Sequence, residues 1–290
     1  MTSAMLNKKN KIVVILGPTS SGKSDVAISL AQKLALSKIE GFDGAEIVSA
    51  DSRQIYRGMD IGSGKVTKEE QGLAKHWMLD IVSPKTNFSA GQYKKKVNRI
   101  IKDILKRGKL PIICGGTGFW IKSIVDNVEF PEVKPDWVLR KKLEKETAEK
   151  LFSMLEKLDS ARAENIDAKN KVRLIRAIEI AKTLGCVPEV ISSPQYVALQ
   201  IGISMPKEKL HERIEKRLDK RFAAGMLDEV ANLHTQGVSW KRLESFGLEY
   251  KWLALFLQGK ISEIEMKDNR IIWIETYKDI EKEIADFIKV

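Results

Sequence analysis

Hydrophobic and polar positions alternate along the first third of the chain in a strand, turn, helix rhythm. Ile12 to Leu16 is a short β-branched apolar run that stops at Gly17-Pro18, the pattern of a buried strand. From Ser24 to Lys33 apolar residues recur at helical spacing. Glu46 to Ser49 and Leu110 to Cys114 predict two more strands, the latter ending at Gly115-Gly116-Thr117-Gly118. Between them Tyr93 to Leu105 predicts a basic amphipathic helix. Strands separated by helices, with glycine turns after the strands, predict an α/β fold with a mostly parallel sheet.

The texture changes after Phe119. Residues 134–185 carry long helical patterns dense in Lys, Arg and Glu. Tyr196 to Ile203 returns to strand character, Lys209 to Leu233 reads as helix, and Arg270 to Ile274 reads as a last strand before a short amphipathic helix. The expected organisation is a core in two parts, 1–124 and 191–290, with a helical insert over 125–190.

Charge sharpens this picture. Fifty Lys and Arg against 39 Asp and Glu give the 290 residues a formal charge of +11, which suits a polyanionic partner such as a nucleic acid. Two cysteines, Cys114 and Cys186, exclude a disulfide framework and a four-cysteine zinc site. Cys114, at the end of an apolar run, reads as a core thiol. The N-terminus has no signal-peptide stretch and no run is long enough for a membrane helix, so a cytoplasmic enzyme that does not engage membranes is expected.

The chemistry starts at Gly17-Pro18-Thr19-Ser20-Ser21-Gly22-Lys23-Ser24, which fits the P-loop pattern G-x-x-x-x-G-K-[ST] between a strand and a helix. The glycines let backbone N–H groups turn toward phosphate oxygens, and the helix start adds its unpaired N–H groups. Lys23 brings a mobile charge and Ser24 a hydroxyl for Mg²⁺. The fold class is therefore α/β with a P-loop NTPase-like core and an inserted helical domain. ATP is the common ligand of such a loop, but any diphosphate presents similar oxygens.

Asp51, in the loop after the second strand, falls at the same sheet rim. It reads equally well as a proton acceptor for an incoming nucleophile and as a turn cap. Arg53 and Gln54 have donors and acceptors suited to a base or a backbone phosphate. Thr117 offers a hydroxyl between two glycines. Asp80, after Trp77-Met78-Leu79, resembles a weakened second nucleotide motif that would hold a Mg²⁺-bound water, though a structural role fits it at least as well.

Together these segments resemble the tRNA dimethylallyltransferase, or tRNA isopentenyltransferase, family in its bacterial form. The strongest stretch is Ser49-Ala50-Asp51-Ser52-Arg53-Gln54-Ile55-Tyr56-Arg57-Gly58-Met59-Asp60-Ile61-Gly62. Residues 17–24, 76–80, 110–118, 172–179 and 210–230 agree in order and spacing, the last including Arg213, Arg217, Gly225 and Glu229. The resemblance implies transfer of a dimethylallyl group from dimethylallyl diphosphate to N6 of adenosine 37 in tRNAs reading codons that begin with U, with Mg²⁺ and without ATP. It implies Asp51 as general base or orienting group, with Thr117 near the reacting carbon. It implies a diphosphate site of Gly17, Thr19, Ser20, Ser21, Gly22, Lys23, Ser24 and Arg217, with Ser24 on the metal. Asp51, Ser52, Arg53, Gln54 and Val172, Arg173, Leu174, Ile175, Arg176 would contact the tRNA, and the helical insert would grip its anticodon stem-loop. A monomer is expected.

Departures from the family pattern are Phe119-Trp120 in place of Leu-Tyr, Trp77 in place of a histidine, and a stretch after Gly259-Lys260-Ile261 shorter by roughly one helix. That shortening implies weaker tRNA binding than in a longer relative. The other readings are a catalytically impaired tRNA-binding protein, which would hold RNA without turnover, and an ATP-dependent small-molecule kinase, which would transfer phosphate without tRNA.

Overall fold

Among the described residues, five parallel strands build one sheet in the order β3-β2-β4-β1-β5. The computed structural model describes residues 10–37, 41–189 and 191–268. In chain order the first part comprises β1 (Lys11–Leu16), α1 (Lys23–Leu36), β2 (Ala45–Ser49), α2 (Lys68–Leu73), β3 (His76–Trp77), α3 (Ala90–Lys106), β4 (Leu110–Gly115) and α4 (Gly118–Val125). β1 is central because both faces are apolar: Ile12 to Leu16 are all buried, and the strand pairs with β4 on one side and β5 on the other.

The two sheet faces are covered differently. On one, Val13, Ile15, Ile47, Ile112 and Cys114 pack against Ala27, Ile28 and Ala31 of α1. On the other, Ile12, Val14, Leu16, Val48 and Ile113 meet Tyr93, Val97, Ile101 and Ile104 of α3. These positions fall at helical spacing on α3, which leaves its lysines outward. Ser89 and Gln92 close a capping box at its start. Cys114 is buried, as a core thiol should be.

The chain divides into two compact units, residues 1–127 with 194–290, and residues 128–193. The smaller unit holds α5 (Trp137–Leu143), α6 (Ala148–Leu158), α7 (Ser160–Glu164) and α8 (Lys171–Leu184) around Leu143, Leu151, Leu155, Leu174 and Ile178. Glu179 is buried inside it, where Arg140, Arg176 and the Asp136 N–H satisfy its carboxylate.

The larger unit resumes with β5 (Val197–Gly202), α9 (Lys207–Ala223), α10 (Met226–Thr235), α11 (Trp240–Ser245), α12 (Leu248–Leu257) and α13 (Glu263–Asp268). The single helix expected over 209–233 is two helices. The chain turns at Gly225, which adopts φ +92° and starts α10 at a new angle. The strand expected at 270–274, the helix after it and the end of the shortened stretch lie outside the described residues. No helix among the described residues is long and apolar enough to cross a membrane.

Candidate active site

Parallel pairing brings the loops after β1, β2 and β4 to one edge of the sheet, beside the point where strand order reverses around β1. Residues 17–22 form the first loop, and Lys23 and Ser24 open α1 directly after it. Gly22 is the N-cap of α1 and no side chain caps that helix, so its first N–H groups face the loop without intrahelical partners. Ser21 Oγ is buried and makes no hydrogen bond with any described residue. Lys23 turns its ammonium back onto the Pro18 carbonyl. Burial lowers the Lys23 pKa to about 8, against the opposing pull of Cys114 and Asp51, and with a further small push down from Arg217.

The second and third loops are stitched together. Thr117 N–H donates to Ala50 O at 3.0 Å, and Ser52 N–H donates to Thr117 Oγ1 at 3.0 Å. Gly115 permits this approach, because a Cβ there would sit 2.3 Å from Ala50 O. Asp51 Oδ1 accepts N–H groups of Arg53 at 2.7 Å and Gln54 at 3.3 Å, so the cap reading of Asp51 is correct for that oxygen. Its second oxygen takes none of these bonds and is compatible with a further role. Gln54 is buried, and its side-chain amide donates to Gly64 O at 3.2 Å.

A fourth component comes from α9. Arg213, Arg217 and Arg221 repeat every four residues and share one face. Arg217 Nη1 donates to Thr19 Oγ1 and Ser20 Oγ, both at 3.3 Å, and Arg213 Nη1 reaches Ser20 O at 3.4 Å. Arg221 binds Glu249 at 2.7 Å and Gly62 O at 3.2 Å. The sequence singled out Arg217; Arg221 was missed, and its four-residue spacing from Arg217 was the available signal. Asp80 Oδ1 lies 2.5 Å from the buried Lys65 ammonium, which also binds Asp60 and Tyr56 O. Its structural role is therefore the one the geometry supports.

In the smaller unit, Leu174 and Ile175 are buried in the helical core and their side chains do not face solvent, contrary to the expectation that they contact RNA. Val172 and Arg173 are exposed. Arg176 is held by Glu179 and donates to Val133 O at 2.9 Å.

No group of three or more His, Cys, Asp or Glu suited to a metal occurs among the described residues. A cation at this edge would need oxygen ligands from a bound phosphate compound besides the Ser24 hydroxyl.

Comparison with known proteins gives a consistent result. The family model described as IPP transferase matches residues 54–278. A tRNA dimethylallyltransferase of Pelotomaculum thermopropionicum is 38% identical over 296 residues, spanning 94% of this chain and 90% of that protein. One from Leuconostoc mesenteroides is 43% identical over 254 residues, spanning 87% and 82%. The crystal structure of the full-length tRNA isopentenylpyrophosphate transferase from Bacillus halodurans superposes with a TM-score of 0.69 at 30% identity, covering 95% of this chain and 87% of that one.

Proposed function

Since the chain belongs to the IPP transferase family, we propose that it transfers a dimethylallyl group from dimethylallyl diphosphate to N6 of adenosine 37 in tRNAs that read codons beginning with U. The observation that carries this reading is the convergence of cationic and hydroxyl groups from the 17–24 loop and α9 beside the Asp51–Thr117 pair. On this reading residues 17–24 act as a P-loop for the isoprenoid diphosphate.

In the reaction the adenine amine attacks the allylic carbon, the carbon–oxygen bond to diphosphate breaks, and the amine gives up a proton. Charge grows on the departing oxygens, so donors fixed in advance lower the barrier. Lys23, Arg217 and the first N–H groups of α1 supply them, and the Ser21 hydroxyl, without a partner among the described residues, adds one more. Thr117, already accepting from Ser52, directs its hydroxyl proton toward the bridging oxygen. Asp51 orients the amine and receives its proton on the oxygen that is not committed to the turn.

On this reading the Ser24 hydroxyl would hold Mg²⁺ together with oxygens of the diphosphate, since no cluster of acidic or imidazole ligands occurs among the described residues. Bound there, it would neutralise part of the leaving-group charge.

RNA binding draws on the net charge of +11. Ser52 and Arg53 at the rim, and Val172, Arg173 and Arg176 in the helical unit, are the proposed contacts. The target base leaves its stack to reach the edge of the sheet.

The test is to incubate the purified chain with Mg²⁺, radiolabelled dimethylallyl diphosphate and an anticodon stem-loop carrying adenosine at position 37. Label on the RNA supports the reading. A folded chain that binds the RNA without labelling it, or that hydrolyses ATP instead, refutes it.

A further inference from the structure

The loop over residues 58–65 begins in the most specific sequence segment, which ends at Gly62, yet none of its side chains enters the proposed chemistry. What it does is present two carbonyls to arginines. Gly62 O accepts from Arg221 at 3.2 Å, and Gly64 O accepts from Arg217 at 3.5 Å. The packing is close: a Cβ at Gly64 would lie 1.9 Å from guanidinium nitrogens of both Arg217 and Arg221, and the residue has φ +57°. The loop is therefore the floor on which these two arginines rest.

The floor is held by a residue with no assigned part in the reaction. Glu229, in the first turn of α10, receives three consecutive backbone N–H groups. Asp60 N and Ile61 N donate to Oε2 at 2.8 and 2.6 Å, and Gly62 N donates to Oε1 at 3.0 Å. Tyr250 of α12 donates its hydroxyl to Oε1 at 2.7 Å. The phenol is pushed well above its ordinary pKa by burial and by the Glu229 charge, so it remains a donor. Tyr250 also explains Gly62, where a Cβ would sit 2.7 Å from the ring. Three aligned N–H groups form a nest for an anion, and four charge-assisted hydrogen bonds make it rigid.

We infer that Glu229 is a positioning residue: with Tyr250 it fixes the 60–64 loop so that Arg217, with Arg221 packed beside it, lies against the 17–24 loop in the geometry that receives a diphosphate. The inference rests on the proposed function in taking Arg217 as a diphosphate ligand. Glu229 itself touches no substrate. Its effect passes through the Gly62 and Gly64 carbonyls.

The chain, Glu229→Gln, Tyr250→Phe, Arg217→Ala and the two double variants with Arg217→Ala are titrated with Mg²⁺ and inorganic pyrophosphate by calorimetry. RNA affinity and thermal unfolding are measured alongside. Glu229→Gln replaces one acceptor oxygen with a donor facing N–H groups and is expected to weaken pyrophosphate binding ~5- to 10-fold, and Tyr250→Phe about 3-fold. Anticodon stem-loop affinity stays as it was. Arg217→Ala costs fewer fold in either background than alone, because the arginine is already misplaced. If Glu229→Gln does not fold, Tyr250→Phe, which keeps the ring, decides. Unchanged pyrophosphate affinity in the folded variants, or an Arg217→Ala cost equal in all backgrounds, overturns the inference. Failure of the unsubstituted chain to bind pyrophosphate overturns the diphosphate-site reading, and this inference with it.

Discussion

Strand β2 carries a carboxylate at each end, and the two are treated oppositely. Glu46, near its start, is buried and fully engaged. Arg107 binds both oxygens, Lys109 binds one at 3.1 Å, and the Trp77 indole donates at 2.8 Å. Asp51, just past its end, is half-buried, with one oxygen in a turn and its charge opposing the fall of the Lys23 pKa. At the first edge charges are matched and closed. At the second, Arg213 and Arg217 lie against Thr19 and Ser20 of the loop that carries Lys23, and the buried Ser21 hydroxyl has no partner among the described residues. Unmatched charge and unmatched hydrogen bonds cost stability, and a fold accepts that where a ligand completes them.

The contrast breaks most directly at Asp51. Asn is a good turn former and keeps an acceptor for the Arg53 and Gln54 N–H groups, but it cannot take a proton. Asp51→Asn should leave the melting temperature within a degree or two of the original while single-turnover prenyl transfer falls on the order of 10²- to 10⁴-fold. Transfer at the original rate would reduce Asp51 to its capping role.

Next in size is Lys23→Ala. Removing one preorganised cation from the leaving group should lower kcat/KM by about 10²- to 10³-fold. Stability should rise slightly, since a desolvated ammonium is removed. A marked loss of stability would mean that the bond to Pro18 O holds the loop together, and the two edges would then resemble each other.

Glu46→Gln tests the other side. Breaking a buried ion pair costs ~3–5 kcal/mol, and partial exposure of Arg107 and Lys109 reduces this to about 2 kcal/mol. Denaturant unfolding should show that loss with KM for both substrates unchanged. Burial alone would raise the Glu46 pKa, but hydrogen bonds from Arg107, Trp77 and Lys109 bring it to about 2. Its contribution is therefore complete above the ordinary value of 4.5 and disappears as pH falls toward about 2. Acid unfolding of the Gln variant should be correspondingly less steep in that window.

How much of this contrast the sequence could reveal follows from distance along the chain. β1, β2, β4 and β5, with α1 and α3, were legible because their apolar positions repeat locally. β3 was not, being two residues on the sheet edge with no pattern to read. The 17–24 loop was legible because one contiguous run encodes it. Asp51 was legible in place but ambiguous in role, since Asx turns and acid–base chemistry ask for the same residue. The pairing of Glu46 with Arg107, and of Glu229 with the 60–62 N–H groups, could not be read. The partners are far apart in sequence (61 residues in the first case), and only the folded chain brings them together. The burial of Leu174 and Ile175, expected among the RNA contacts, was hidden for a related reason. They share a segment with exposed Arg173, and helical periodicity turns them inward.

The smallest effect separates the edges without removing a side chain. Lys23, with a pKa of about 8 instead of 10.5, loses its charge as pH rises through that range. A bound diphosphate favours the charged form, so binding above pH 8 takes up a proton. Pyrophosphate affinity should fall by at most about tenfold per pH unit there. Folding has the opposite sign. Between about 8 and 10.5 the unfolded chain holds more protons on this group, so its contribution to stability improves with rising pH. Calorimetric titration of pyrophosphate from about pH 7 to 9.5, on the chain and on Lys23→Arg, separates Lys23 from every other group at the edge. The Arg variant keeps its charge and should retain only the slope due to ionisation of pyrophosphate itself, whatever its absolute affinity. Equal slopes in both proteins would move the titrating group elsewhere and leave the burial of Lys23 without consequence for binding.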